Sequence, residues 1–271
     1  MLIALWCGLA ADPAYAKSGK PRRNATQSVG SPNEGQLVGG KQLKSSSSLR
    51  SVGSHKFGVP ELVDMLTRSA ERVAKKHTGS VLTVGDLSRR GGGDVDGHRS
   101  HESGRDADVA FYLRKGKKPF VATRFTTIAE DLGAKNIPGV SFDAERNWDL
   151  VHAWITDPNA HVLQIFVADH LKKRLLEEAS KSGASESVLR RAKDVLFQPT
   201  KALPHDDHFH LRIACPPRSS ASSCQNFATK APKAERAVKP TKKSKQAKKG
   251  TPKRSSRAQS TRVKDMSSSK R

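Results

Sequence analysis

Residues 205–213 read HDDHFHLRI, and polar and apolar side chains alternate from His208 onward. Successive side chains of a β-strand point to opposite faces, so this alternation predicts a strand from His208 to Cys215. His208 and His210 then share a polar face, whereas Phe209 and the apolar residues beyond it share the other. We expect this strand to lie at the edge of a hydrophobic core and to carry a site on its polar face. Surface histidines on a half-exposed strand are the alternative interpretation.

The segments around this strand indicate a mixture of helices and strands. Apolar residues at helical spacing indicate helices, and short β-branched or alternating runs indicate strands. These segments do not follow a regular βαβ order, so we predict an α+β fold: one compact domain with a mainly antiparallel sheet, flanking helices and long loops. One predicted helix begins at Pro60, and two others cover 171–179 and 187–197. The other predicted strands are 80–84, 106–113 and 162–168.

Composition separates a central domain from two outer segments. Residues 1–16 combine a short apolar run with a small-x-small cleavage site, so we expect them to be an export signal. Because no basic residue precedes the apolar run, we expect this signal to be truncated at its start. The Ser- and Gly-rich residues 17–58 predict linker and loop. We assign 17–25 to the linker and 26–216 to the domain. Residues 217–271 are predicted to be a disordered tail, because they hold too little apolar surface to offset the entropy of ordering.

Charge, hydropathy and cysteine content exclude several classes of protein. The net charge is +23, but the segment from Arg218 to Arg271 alone carries 17 Lys and Arg against 2 Asp and Glu, so most of the excess lies in the tail. No apolar run reaches the roughly 18 residues of a membrane-spanning helix, so we do not expect an integral membrane protein. The 3 cysteines are too few for a disulfide scaffold or a cysteine-only zinc finger.

Residues able to bind a metal concentrate in two segments. His98 and His101 lie in a predicted glycine-rich loop, and Asp108 follows in the next predicted strand. Imidazole nitrogens and carboxylate oxygens are the usual zinc ligands where thiolates are absent. His101, Asp108 and His210 would leave a fourth position for water, as a catalytic zinc site does. His208, on the same strand face as His210, would then accept the proton of that water.

Several familiar catalytic patterns are missing. Residues 98–102 read HRSHE, which is not the His-Glu-x-x-His motif, and the sequence contains no Gly-x-Ser-x-Gly segment. The glycines at 91–93 lack the Lys-Ser/Thr pair of a phosphate-binding loop. Cys7 lies in the predicted signal, so no catalytic cysteine is evident.

The motif HRSHESGRDAD at 98–108, followed by HFH at 208–210, resembles the penicillin-insensitive murein endopeptidases. These belong to a wider group of zinc peptidases that includes D-Ala-D-Ala dipeptidases and carboxypeptidases, whose signature is a His, an Asp seven residues later and a distant His-x-His. His101 and Asp108 have that interval. The similarity extends over roughly 26–216 and includes QSVGS at 27–31, VGDLS at 84–88, FDAERNW at 142–148 and HDDHFH at 205–210.

The resemblance implies a role for each matching residue. His101, Asp108 and His210 match the zinc ligands, His208 matches the general base, and His205 matches a further active-site histidine. One zinc ion is expected. The resemblance also allows a second metal position, whose matches here are His98, Asp149 and His152. Asp106 is expected to orient a ligand or loop and not to bind the metal itself.

The resemblance also implies the substrate and the compartment. Such enzymes cut the peptidoglycan cross-link between D-alanine and meso-diaminopimelate, so we expect a periplasmic enzyme. Arg105, Arg212 or a loop arginine could hold a substrate carboxylate, and nothing in the sequence selects among them. In an exported protein, Cys215 and Cys224 are expected to form a small disulfide loop at the end of the domain.

Three other functions are compatible with the sequence. A D,D-carboxypeptidase acting on free stem peptides would share the metal ligands. A wall- or polyanion-binding protein without catalysis would keep the fold, and the basic tail would bind anionic envelope components. A nucleic-acid-binding protein ranks third, because the tail has no aromatic platform for bases and no zinc knuckle.

Overall fold

The computed structural model describes residues 26–200, 202–217, 219 and 223–227. The expected export signal, the linker 17–25 and nearly all of the expected tail lie outside these residues. The described part combines helices with mainly antiparallel sheets, which confirms the predicted α+β class. The helices are α1 (Pro60–Lys76), α2 (Ala144–Ile155), α3 (Asp169–Lys181) and α4 (Glu186–Val195).

The strands are short, and most of the core-forming ones belong to one sheet. In chain order they are β1 (Gln27–Ser31), β2 (Glu34–Val38), β3 (Lys41–Gln42), β4 (Leu49–Ser51), β5 (Phe57–Gly58), β6 (Leu82–Val84), β7 (Asp106–Ala110), β8 (Leu113–Lys115), β9 (Lys118–Phe120), β10 (Val140–Phe142), β11 (Val162–Phe166), β12 (Leu196–Phe197) and β13 (His208–Ile213).

The central sheet has six strands in the order β12-β11-β13-β7-β6-β4. Its inner pairs, β11 with β13, β13 with β7 and β7 with β6, are antiparallel. The two outer pairs, β11 with β12 and β4 with β6, are parallel. Strand β13, predicted from its alternating sequence, therefore lies in the middle of the sheet and has a hydrogen-bonded neighbour on each side.

One face of β13 supplies the hydrophobic core. Phe209, Leu211 and Ile213 are at most 1% exposed. The ring of Trp154 from α2 meets the Phe209 ring edge-on at 5.6 Å, and the ring of Phe111 does so at 4.7 Å. Because side chains alternate along a strand, His208 and His210 lie on the opposite face of the sheet from α2.

Helix α1 packs beside α2 on the core side. Pro60 occupies the first turn of α1, where its missing N–H costs nothing and its fixed φ favours the helix. Leu62, Met65 and Leu66 are fully buried. The indole Nε1–H of Trp154 donates to Ser69 Oγ at 3.0 Å and joins the two helices.

The expectation of linker and loop throughout 17–58 was wrong for the part that the structure describes. Five short strands lie between residues 27 and 58, and β1 and β2 form an antiparallel hairpin. These strands have two to five residues and few apolar side chains, so no local periodicity marks them. Contacts remote in sequence hold them: Gly30 N–H donates to the Ser223 carbonyl at 2.6 Å, and Arg105 Nε–H donates to Ser28 Oγ at 2.9 Å.

Several element boundaries also differ from the prediction. Strands β13 and β11 each end two residues earlier than predicted, at Ile213 and Phe166. Two other elements end early because a further strand begins. The helix expected over 187–197 ends at Val195, because Leu196 and Phe197 pair with β11 as strand β12. The strand expected over 106–113 ends at Ala110, and the chain then starts the separate strand β8 at Leu113.

A disulfide closes the end of the domain. Cys215 and Cys224 are joined, as expected for an exported protein. The bridge places residues 223–225 beside β1, where Gln225 N–H donates to the Gly30 carbonyl at 3.0 Å. No helix among the described residues is long and apolar enough to cross a membrane.

Replacing both cysteines, Cys215→Ala with Cys224→Ala, is expected to lower the free energy of unfolding. The ten-residue loop restricts the unfolded chain, and the chain-entropy model gives a loss of about 2–3 kcal/mol. Urea denaturation of the oxidised wild type and the double variant would measure it. A difference below about 0.5 kcal/mol would show that the disulfide does not stabilise the fold.

Candidate metal centre

The pairing of β7 with β13 builds the floor of the site. In this antiparallel register His210 stands opposite Asp108, and Arg212 stands opposite Asp106. Residues opposite each other on adjacent strands point to the same face. Two carboxylates, an imidazole and a guanidinium therefore meet on the side of the sheet that faces away from α2.

The loop before β7 brings His101 to the same place. His101 has a positive φ of 76°, an uncommon conformation for a residue with a side chain. The neighbouring residue Glu102 anchors the loop, since its N–H donates to the Pro32 carbonyl at 3.1 Å and its carboxylate accepts from Gly35 N–H at 3.1 Å. The β1–β2 hairpin, which the sequence did not predict, thus holds the loop in a conformation that buries the His101 side chain completely.

Three imidazoles converge on the Asp108 carboxylate. His101 Nε2 lies 3.3 Å and His210 Nδ1 lies 3.0 Å from Asp108 Oδ1, and His98 Nδ1 lies 3.4 Å from Asp108 Oδ2. One ligand atom from each of His98, His101 and Asp108 lies within 4.8 Å of the ligand atoms of the other two, so these three residues could hold a metal ion.

The hydrogen bonds of His101 test whether a cation fits. His101 Nδ1 lies 2.6 Å from the Leu87 carbonyl, which can only accept, so Nδ1 carries the proton and Nε2 has a lone pair. His101 Nε2 and Asp108 Oδ1 are both buried without a hydrogen-bond partner. Two buried electron-rich atoms that face each other at 3.3 Å are unfavourable unless a cation lies between them. The residues therefore fit a metal ion.

The pKa values of Asp108 and His210 also reflect the negative charge that is concentrated at the site. Burial by itself would raise the pKa of Asp108, but the imidazoles of His101 and His210 outweigh it and hold that pKa well below its usual value. Burial would likewise lower the pKa of His210, but its hydrogen bond to Asp106 and its approach to Asp108 raise it to about 9. The site thus favours positive charge beside Asp108.

Asp106 lies behind His210 and orients it. The Nε2–H of His210 donates to Asp106 Oδ1 at 2.9 Å, and Arg212 Nε–H donates to the same oxygen at 2.6 Å. This leaves His210 Nδ1 directed toward Asp108. A carboxylate that accepts from the far nitrogen of a ligand histidine is the usual support of such a ligand.

His208 and His205 border the cluster. His208 Nε2 lies 3.6 Å from Asp108 Oδ1, and its ring centroid is 5.3 Å from that of His205. Burial, followed by the neighbouring His208 and His210, lowers the pKa of His205 to about 4. His205 is consequently a neutral imidazole at neutral pH.

The structure does not bring Asp149 and His152 to His98. Both lie on α2, which covers the opposite face of the central sheet. Asp149 accepts from Lys76 Nζ at 2.9 Å and lies 2.5 Å from His77 Nε2. His152 Nδ1 lies 3.5 Å from Arg72. Helical i, i+3 spacing put the pair on one face of α2 but did not reveal which side of the sheet that face occupies.

Another carboxylate, which was not predicted from the sequence, lies beside His98. Asp86 Oδ2 is 3.5 Å from His98 Nε2, and Asp86 Oδ1 accepts from His55 N–H at 2.8 Å. Asp86 lies two residues after the end of β6, the sheet neighbour of β7, and this position in VGDLS was the signal that could have found it. Burial, followed by the neighbouring His101, lowers the pKa of His98.

The candidate arginines are engaged elsewhere. Arg105 is completely buried, and its Nη2 donates to the Gln225 carbonyl at 2.6 Å. Arg212 is 7% exposed and bonded to Asp106. Both guanidinium groups are therefore buried and hydrogen-bonded within the protein.

Comparison with known proteins places the chain in a family. Residues 28–266 match the model of the family described as penicillin-insensitive murein endopeptidase, a range that runs beyond residue 216. A protein of that name from Klebsiella pneumoniae (strain 342) is 28% identical over 239 residues, which cover 85% of this chain and 81% of the relative. One from Escherichia coli O17:K52:H18 is 30% identical over 229 residues, covering 79% and 76%. The chain therefore belongs to the penicillin-insensitive murein endopeptidase family.

Proposed function

We propose that this chain is an exported zinc endopeptidase that hydrolyses the D-alanyl–meso-diaminopimelate cross-link of peptidoglycan. The observation that carries the proposal is the pair of buried, unpartnered atoms, His101 Nε2 and Asp108 Oδ1, which face each other beside His210. Relatives named murein endopeptidases support the substrate class.

His101 Nε2, Asp108 and His210 Nδ1 would hold the ion, with His98 beside them. Imidazole and carboxylate donors without thiolate suit zinc at a catalytic site. When bound there, zinc would polarise the scissile carbonyl and lower the pKa of a water molecule toward neutrality. Asp106 keeps the far nitrogen of His210 occupied, so that Nδ1 stays available as a ligand.

His208 is the general base of this proposal. Its Nε2 is directed at the Asp108 side of the site and is within 3.6 Å of Asp108 Oδ1. From there it would accept a proton from the attacking water and deliver it to the leaving amine. His205 has a pKa of about 4, so it would border the cleft as a neutral hydrogen-bonding group and not as a cation.

Chemistry and composition support the periplasm as the compartment. A disulfide between Cys215 and Cys224 persists in an oxidising environment, and the bacterial periplasm is one. The 17 Lys and Arg between Arg218 and Arg271 would favour contact with anionic envelope components there.

Muropeptide analysis of purified sacculi incubated with the full chain tests the function. We expect cross-linked dimers to become monomers. A chelator should abolish the activity and zinc should restore it, because the bound metal would polarise the scissile carbonyl. Release of terminal D-alanine alone would instead identify a D,D-carboxypeptidase. Unchanged sacculi with zinc bound would refute the catalytic proposal in favour of wall binding.

Two histidine variants separate the base from a ligand. We expect His208→Ala to keep its zinc but to lose turnover about 100-fold or more, since only the proton acceptor is removed. His210→Ala is expected to lose zinc as well, because a ligand is removed. Metal analysis beside the sacculus assay checks both, and equal zinc loss in the two variants would contradict the assigned roles.

A further pair of variants tests whether α2 contributes to the metal site. We expect Asp149→Asn and His152→Gln to bind as much zinc as the wild type, because their contacts are with Lys76, His77 and Arg72 behind the sheet. His101→Gln is the positive control and should lose zinc. A reduced zinc-to-protein ratio in either α2 variant would place α2 in the metal site.

A further inference from the structure

Two contacts outside the metal cluster hold the His208 side chain. His208 Nδ1 lies 2.5 Å from Asp207 Oδ1. The ring of Phe125 stacks on the imidazole, with centroids 4.5 Å apart and planes inclined by 15°. His208 and Asp207 are 19% and 35% exposed at their side chains, so the pair lies at the rim of the site and not deep within it.

The Asp207 contact selects one tautomer of His208. A carboxylate can only accept a hydrogen bond, so the proton of the neutral imidazole resides on Nδ1. Nε2 then carries the lone pair. Because Nε2 is the nitrogen on the Asp108 side, at 3.6 Å from Oδ1, the lone pair is presented to the place where the attacking water would lie.

The Phe125 contact restricts the plane of the same ring. Phe125 packs against Gly85, where an added Cβ would lie 2.6 Å from Phe125 Cζ. The glycine therefore makes room for Phe125 between β6 and the imidazole. The backbone that precedes Asp207 is also fixed, since Ile128 N–H donates to the Asp206 carbonyl at 2.7 Å.

We propose that Asp207 is a positioning residue that fixes His208 in the tautomer with Nε2 unprotonated, while Phe125 holds the plane of the ring. The inference rests on the proposed role of His208 as general base and adds a residue through which that role is exerted. Asp207 does not touch the reacting atoms. Its effect is on which nitrogen of His208 carries the proton.

Asp207→Asn tests the proposal most sharply. The amide nitrogen of asparagine can donate to His208 Nδ1, which moves the imidazole proton to Nε2 and blocks the base. We expect kcat to fall about 10- to 100-fold, with KM and bound zinc close to the wild-type values. Asp206→Asn is the matched control, since it removes the same charge one residue away, and it should retain wild-type kcat.

The tautomer has a readout that does not depend on activity. Imidazole ¹⁵N NMR of the metal-free full chain should show the His208 proton on Nδ1 in the wild type and in Asp206→Asn, and on Nε2 in Asp207→Asn. Loss of the resonances in His208→Gln assigns them.

The outcomes separate this inference from the proposed function. A wild-type enzyme that cleaves sacculi while Asp207→Asn matches Asp206→Asn in kcat would overturn the positioning role and leave the function standing. A wild-type His208 protonated on Nε2 would overturn it as well. If the wild type cleaves nothing, the function fails, and the NMR comparison still decides whether Asp207 sets the tautomer.

Discussion

Two buried carboxylates on strand β7 are the constraint on which the rest of this site depends. Asp106 and Asp108 are 0% and 2% exposed, and charges removed from water to that degree require partners. Asp106 has Arg212 and His210 as donors. Asp108 is surrounded by imidazoles, one of which, His101, turns a lone pair toward it. A metal ion bound between these groups would complete the arrangement where hydrogen bonds do not.

Strand β13 links the stability of the fold to its chemistry. Its apolar side chains, led by Phe209, form the core with Trp154 and Phe111, and its alternate side chains form the site. A shift of one residue in the pairing of β13 with β7 would exchange the two faces. The register that buries the core is therefore the register that brings His210 to Asp108.

The sequence contained the parts of this arrangement that are local or periodic. Alternation predicted β13, helical spacing predicted α1, and the resemblance identified His101, Asp108 and His210 as candidates that the fold does bring together. The sequence did not reveal the β1–β2 hairpin, because its polar strands are held by contacts with Ser223 and Arg105, far away in the chain. Nor did it reveal that the central sheet separates Asp149 from His98, since spacing along one helix carries no information about the sheet behind it.

Anomalous diffraction at the zinc edge from crystals of the zinc-loaded protein would locate the bound ion itself. We expect a single strong peak about 2.0–2.1 Å from His101 Nε2 and from His210 Nδ1, with a carboxylate oxygen of Asp108 at a similar distance. A peak elsewhere, for example between His77 and Asp149, or no peak beside Asp108, would contradict it.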